Sequence, residues 1–545
     1  MNRQVKTGIH SLCAFLLSLG VCTARARAAG CTQSAIQALA PSNTTIVSAT
    51  EQSDPARYCD VLGYVTTADP GPNQVNFELG LPAEWNGRFL LVGNGGFGGS
   101  FDFPAVFLDF GFTFFPLPTE VSAGFATAIT DTGHQGANFL DGTWALNDQA
   151  KQDDFLFRAA HVTAVAGKAI TKGFYGRGAR SYFAGCSTGG REGLVEAQRY
   201  PADFDGVIAG DPALGPVIPG FNWNQQHLTA TADNYIPPDK LALVDAAVMS
   251  SCDAADGVVD GLIQDPRKCK FDPASLLCSV ANSSNCLTRG QVMALKAVYA
   301  GATTADGRKI YSGFSKSDPA GDDGWAFWTT GFVRPDVPGT AEPWSDLALA
   351  PWQFIFQDQV LKFIVFGDPG YNSLSFNLNS SDLARTQVVL NRGGAEGENP
   401  DLSAFSSRGG KLIIYHGWSD PQISPLETVN YYKAVIQEQD GLQRTEQFAR
   451  LFMVPGMHHC IGSGGPGPNF FDPLPSLIDW VEKGVAPEQI VAAHFKDNDP
   501  TTGIITRTMP LCPYPEVAVF NGGDVSQASN WKCKQQLQDD LSDDE

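Results

Sequence analysis

The sequence predicts an α/β protein in which a parallel sheet, covered on both faces, is interrupted by one large insertion. Three observations carry this. Short unbroken apolar runs alternate with helical text from Asn86 to about Ala213; the same rhythm resumes at Lys411 after a long stretch that lacks it; and a serine stands in a glycine-flanked turn between an apolar run and a helix. Strands buried on both faces read as continuous apolar text, whereas strands with one wet face alternate.

The elements follow in order. Arg88-Phe89-Leu90-Leu91-Val92 is a strand opening into the glycine cluster Gly93 to Gly99, and Gly124 to Thr130 is a second strand ending in Asp131-Thr132-Gly133. Asp153 to Lys172 has helical periodicity, Ser181 to Gly185 is a strand, Glu192 to Arg199 a helix and Gly206 to Gly210 a strand. Residues 214–406 then turn Trp- and Phe-rich, punctuated by Pro and Gly, and read as an inserted lid domain. After it come a strand from Lys411 to Tyr415, a helix near Glu427 to Gln437, a strand from Ala449 to Val454 and a helix from Leu477 to Lys483. The catalytic domain is therefore expected to combine residues 29–213 with 407–545. Its acidic end, Asp539 to Glu545, reads as a solvated tail.

Composition narrows the class. At 545 residues the chain exceeds the ~100–200 residues of a typical domain. Its 43% hydrophobic content with 57 Gly and 35 Pro excludes a disordered chain, a coiled coil and collagen. A net charge of -21 without a basic cluster would repel a phosphate backbone, which excludes nucleic acid as a partner.

Residues 1–28 read as a signal peptide: Arg3 and Lys6, an apolar run from Leu12 to Cys22, then Ala26-Arg27-Ala28 at the cleavage point. No later stretch is long and apolar enough to span a bilayer. Ala28-Ala29-Gly30-Cys31 weakly resembles a lipoprotein site, but Arg25 and Arg27 separate it from the apolar run. A secreted or periplasmic protein is expected. Of 12 Cys, Cys13 and Cys22 leave with the signal, and ten in an oxidising compartment imply five disulfides. Cys252/Cys269, Cys278/Cys286 and Cys512/Cys533 each suggest a short closed loop, and the paired spacing of a zinc site is missing.

Gly185-Cys186-Ser187-Thr188-Gly189 fits G-x-S-x-G between strand and helix, the setting of a hydrolase nucleophile elbow. A serine hydroxyl needs a base and an acid to orient that base. His10 and His161 are poorly placed, and His134, His227, His416 and His494 read as loop or core residues. His458 and His459 follow a strand late in the chain, where such a fold carries its base. Asp420, directly after a strand, gives the order Ser, Asp, His, and Asp211 is the other candidate acid. For the oxyanion the Thr188 N–H is one donor, and Gly95 or Gly96 supplies the second. Asp253-Ala254-Ala255-Asp256-Gly257-Val258-Val259-Asp260-Gly261-Leu262 gathers three carboxylates and suits calcium, although Ala255 at the third position excludes an EF-hand.

At these residues the sequence resembles the tannase and feruloyl esterase family, which includes bacterial mono(2-hydroxyethyl) terephthalate hydrolases. The resemblance spans nearly the whole mature chain. Its most specific features are Cys186-Ser187 paired with His459-Cys460, and Gly189-Gly190-Arg191-Glu192 after the serine. It implies an α/β-hydrolase fold with a lid, a Cys186–Cys460 disulfide beside the catalytic residues, His459 rather than His458 as base, and Asp420 rather than Asp211 as acid. It also implies a structural calcium in the lid held by Asp253, Asp256 and Asp260 with the carbonyls of Val258 and Leu262, and no organic cofactor. The implied substrate is a small aromatic ester, free or attached to plant cell-wall polysaccharide, with feruloyl esters first, galloyl esters second and terephthalate monoesters third. The rival readings are a peptidase on the same scaffold and a secreted calcium-dependent binding protein on an inactive one.

Overall fold

The computed structural model describes residues 30–101, 117–280, 284–321 and 323–535. The expected signal peptide and the acidic tail lie outside them. Nine strands form the main sheet: β1 (Thr44–Gln52), β2 (Tyr58–Thr67), β3 (Asn73–Pro82), β4 (Arg88–Val92), β5 (Ala126–Thr130), β6 (Arg180–Cys186), β7 (Gly206–Gly210), β8 (Lys411–Gly417) and β9 (Ala449–Val454). They run in the order β1-β2-β3-β5-β4-β6-β7-β8-β9. From β5 to β9 every pairing is parallel, while β1, β2 and β3 extend the sheet antiparallel. That extension was not anticipated, although the alternating burial along β2 is what a strand with one wetter face shows.

Alternate residues of each strand feed two cores. Leu90, Val92, Tyr182, Ala184, Ile413 and Val454 pack on one side, and Phe89, Leu91, Phe183, Val207, Leu412 and Leu451 on the other. The second side is covered by α1 (Ala159–Tyr175), α2 (Thr188–Arg199) and α3 (Pro425–Glu438), the first by α4 (Leu474–Lys483) and part of the insertion. α2 starts four residues earlier than expected, at the residue after the serine, because Thr188 to Arg191 offer no periodic apolar signal. Between β7 and β8 the described residues add no strand to this sheet. They form helices, among them Val217–Leu228 and Trp352–Gln359, with a core of their own around Leu241, Val244 and Leu295. At the C-terminal end, Ile490–Phe495 pairs with Ile505–Leu511 and Glu516–Phe520 with Trp531–Gln535 in two small antiparallel sheets.

Five disulfides are present: Cys31–Cys59, Cys186–Cys460, Cys252–Cys269, Cys278–Cys286 and Cys512–Cys533. The three local pairs are those the spacing suggested. Cys31 is bridged, so its thiol is not available for lipidation. No helix among the described residues is long and apolar enough to cross a membrane.

Candidate active site

β6 ends at Cys186 and α2 begins at Thr188, so Ser187 alone makes the turn, at φ 63° and ψ −123°. A non-glycine residue holds such a conformation only where its surroundings impose it. The glycines show how. A Cβ on Gly189 would lie 2.6 Å from the Asn94 carbonyl oxygen, and one on Gly190 would lie 2.1 Å from that of Gly210. The helix start is pressed against the ends of β4 and β7, and only glycine fits there.

The loops after β8 and β9 meet at this turn. His459 Nδ1 lies 2.6 Å from Asp420 Oδ2, and both residues are buried. Asp420 Oδ1 accepts the backbone N–H groups of Gln422 and Ile423 at 2.8 and 2.9 Å, which fixes the carboxylate. Burial alone would raise its pKa, but the charge of His459 and hydrogen bonds from His416 and His459 outweigh this and hold it well below the ordinary carboxylate range. Asp211 takes another position. Its Oδ1 accepts the Gly417 N–H at 2.9 Å, and burial together with the Asp420 charge pushes its pKa well up. His416 Nε2 stands between the two acids, 3.2 Å from Asp420 Oδ2 and 3.7 Å from Asp211 Oδ1.

The Cys186–Cys460 bridge, with Cα atoms 6.0 Å apart, ties the residue before Ser187 to the residue after His459. His459 Nε2 is buried and has no partner among the described residues. Above the ring, Trp328 from the insertion makes an edge contact at 5.3 Å between centroids.

Two backbone N–H groups are free for an oxyanion among the described residues, Thr188 at the first position of α2 and Gly96. Gly95 is less suited than expected because its N–H is taken by the Asn94 side-chain oxygen at 3.2 Å. Thr188 Oγ1 donates to the Gly96 carbonyl at 2.8 Å, and the Glu192 carboxylate accepts the Asn94 N–H at 3.0 Å, so the glycine loop is latched to the elbow helix at two points. Beside Ser187 and Gly96 opens a cavity whose wall is mainly apolar, with Phe97, Phe155, Phe221 and Phe356 as its aromatic members. Of the aromatics in the insertion, Phe221 and Phe356 line it, while Trp325 and Phe354 belong to the insertion's packing and Phe332 is exposed.

Comparison with known proteins agrees with this geometry. Residues 59–534 match the family described as tannase and feruloyl esterase. The chain belongs to the tannase and feruloyl esterase family. It is 34% identical to an uncharacterised esterase of Xanthomonas campestris, over 96% of this chain and 95% of that protein. It is 35% identical to the mono(2-hydroxyethyl) terephthalate hydrolase of Piscinibacter sakaiensis, over 87% of this chain and 84% of that protein. The crystal structure of feruloyl esterase B from Aspergillus oryzae superposes with a TM-score of 0.74 at 27% identity, covering 92% of this chain and all of the other. The protein is a carboxylic ester hydrolase.

Within this family member the other predicted residues fall as follows. His458 points away from Ser187 into the insertion. Its Nδ1 is 2.9 Å from Asp323 and its Nε2 3.3 Å from Asp318, and despite burial these two acids push its pKa up to about 10. In the acidic loop, Asp253 Oδ1 accepts the Asp260 and Gly261 N–H groups, Asp256 Oδ1 that of Val258 and Asp260 Oδ1 that of Leu262. Burial and the neighbouring Asp260 and Asp253 push Asp256 up to about 6. Asp260 Oδ2 is buried without a hydrogen bond, 3.4 Å from Arg507 Nη1. Crowded hard oxygens with an unsatisfied carboxylate fit a divalent cation in kind. Their spacing is open: the described acid clusters with ligand atoms within 4.8 Å of one another lie around Asp211 and Glu196, not here.

Sequence reasoning missed His416, Asn94 and the Glu192 latch, the Asp318 and Asp323 clamp, and two charged cavity residues, Arg191 and Glu396. Arg191-Glu192 stood in the quoted motif; the others meet the site only through long-range folding.

Proposed function

We propose that this esterase is a secreted serine hydrolase of phenolic acid esters, with Ser187 as nucleophile, His459 as base and Asp420 as the acid that orients it. The observation that carries the reading is the His459–Asp420 hydrogen bond on a loop that a disulfide ties to the Ser187 elbow. In this mechanism Ser187 Oγ attacks the ester carbonyl while His459 Nε2 accepts its proton. The oxyanion receives the N–H groups of Thr188 and Gly96, the alcohol departs with the proton from His459, and water repeats the sequence on the acyl-serine. Asp420 holds the imidazole through Nδ1 and stabilises its cation. Four phenyl rings around the cavity favour an aromatic acyl group. We rank the substrates as feruloyl esters, then galloyl esters, then terephthalate monoesters, free or on plant cell-wall polysaccharide; relatives named for feruloyl and terephthalate esters support this class of aromatic ester. Five disulfides support an oxidising, extracellular setting. The insertion acts as the lid, and its acidic loop would hold a structural calcium through Asp253, Asp256 and Asp260 with the Val258 and Leu262 carbonyls.

A fluorophosphonate should label Ser187, and methyl ferulate should be cleaved faster than methyl gallate or a terephthalate monoester. A labelled residue other than Ser187 overturns the nucleophile, and a different leading ester overturns the ranking.

A further inference from the structure

Two charged side chains line the cavity beside Ser187 among the described residues, Arg191 and Glu396, and both are at least nine-tenths buried. They come from distant parts of the chain. Arg191 stands one helical turn beyond Ser187 on α2, where a long side chain leans back toward the helix N-terminus and the elbow. Glu396 lies at the end of the insertion, just before β8.

A buried arginine and a buried glutamate on one wall would ordinarily pair, and here no ion pair within 4.0 Å joins them. Arg191 spends Nη1 on the carbonyls of Leu156 and Ala395, at 2.7 and 2.8 Å, and lays its guanidinium over Phe155. Nη2 is left buried with no partner, and so is Glu396 Oε1. Buried polar atoms without partners are scarce because each costs about 1–3 kcal/mol. Arg191 Nη2 and Glu396 Oε1, of opposite character in a mainly apolar lining where Gln422 Oε1 is a further unpartnered acceptor, describe a site completed by a ligand. Burial and the neighbouring Glu398 push the Glu396 pKa up against the pull of Arg191.

We propose that Arg191 Nη2 and Glu396 Oε1 together recognise a hydroxyl on the aromatic ring of the acyl group: the phenol oxygen accepts from Arg191, and its O–H donates to Glu396. The inference rests on the reading of this cavity as the acyl pocket of an aromatic esterase. The chemistry selects among ring substituents. A hydroxyl satisfies both atoms, a methoxy group accepts but cannot donate, hydrogen satisfies neither, and a carboxylate satisfies Arg191 but leaves Glu396 facing a second acceptor. A site built for a hydroxyl rejects analogues that leave its buried groups unpaired.

The test uses methyl cinnamates differing only at the ring 4-position, with hydroxyl, methoxy, hydrogen or carboxylate. In the wild type kcat/KM should be highest for hydroxyl, by about tenfold or more over hydrogen and methoxy. Glu396→Leu should bring the hydroxyl-to-hydrogen ratio close to one, and Glu396→Gln, which keeps an acceptor oxygen, should retain most of it. The wild-type comparison stands even if a variant does not fold. Equal rates for hydroxyl and hydrogen would overturn this inference and leave the esterase reading intact, as would a ratio untouched by Glu396→Leu. Preference for the carboxylate would overturn it in favour of an anion site at Arg191. Failure to hydrolyse any member would overturn the aromatic esterase reading, and this inference with it.

Discussion

His458 and His459 are neighbours on one loop, and the structure gives them opposite surroundings. His459 faces the sheet, where a single carboxylate takes Nδ1 and Nε2 is left without a partner beside the serine turn. His458 faces the insertion, where Asp318 and Asp323 bracket the ring and hold it as a cation. A base needs one orienting acid and one free nitrogen, whereas an imidazole with acids at both nitrogens is a fixed charge. The two histidines thus divide the loop into a catalytic side and a fastening side, and substitutions can separate them.

The largest effect is expected on the catalytic side. Ser187→Ala and His459→Ala should each lower kcat by several orders of magnitude, with melting temperatures close to the wild type. Steady-state kinetics on methyl ferulate, paired with thermal melts, would show it. An active His459→Ala would place the base elsewhere.

Next in size is the contrast between the two acids. Asp420→Asn replaces the acceptor of His459 Nδ1 and should cost about 10³–10⁴ in kcat. Asp211 makes no hydrogen bond to His459 among the described residues, and burial and the Asp420 charge push its pKa up, so exchanging it for an amide of the same shape in Asp211→Asn should act on stability and by a few-fold in rate. The reverse ranking would make Asp211 the working acid.

On the fastening side the expected loss is in stability. His458→Gln leaves Asp318 and Asp323, both partly buried, without their cation, and removing one partner of such a pair costs up to the ~3–5 kcal/mol typical of a fully buried one. The pH dependence follows from the sign of the shift. A histidine raised from 6.5 to about 10 on folding contributes fully below about pH 6.5 and progressively less as pH rises toward 10. Denaturation of wild type and variant should therefore differ most near pH 6 and converge by pH 10, while kcat of the folded variant falls little. A stability gap that widens with pH would contradict an imidazolium at this position.

These contrasts also mark what the sequence could show. Ser187, Asp420 and His459 each follow a strand within a few residues, so local text singled them out as candidates, and the continuous apolar runs of β4, β6, β7, β8 and β9 were legible for the same reason. The separate surroundings of His458 and His459 could not be read locally, because Asp318 and Asp323 arrive from the insertion between β7 and β8. Nor could the meeting of Arg191 and Glu396, 205 residues apart, in one cavity lining. Strands β1 to β3 escaped because their alternating text differs from the unbroken apolar runs that signalled the rest of the sheet. The family resemblance supplied the Cys186–Cys460 bridge that spacing alone left open.

The smallest expected effect concerns a second acidic cluster in the insertion, which sharpens the contrast between acids with and without a protein cation. Asp318 and Asp323 are neutralised by His458, whereas Asp253, Asp256 and Asp260 have the Arg507 guanidinium beside Asp260, and Asp260 Oδ2 still lacks a hydrogen bond. If calcium completes this loop, an ion bound only by the folded protein stabilises it by mass action, by about 2.7 kcal/mol at a hundred times its dissociation constant. Chelation should then lower the melting temperature by a few degrees, added calcium should restore it, and Asp256→Ala should abolish the response to both. Arg507 makes the alternative concrete: if it alone suffices, the wild type will melt at the same temperature with chelator and with calcium. The loop would then be an acidic turn closed by its own backbone N–H groups, with the guanidinium as its only counter-charge.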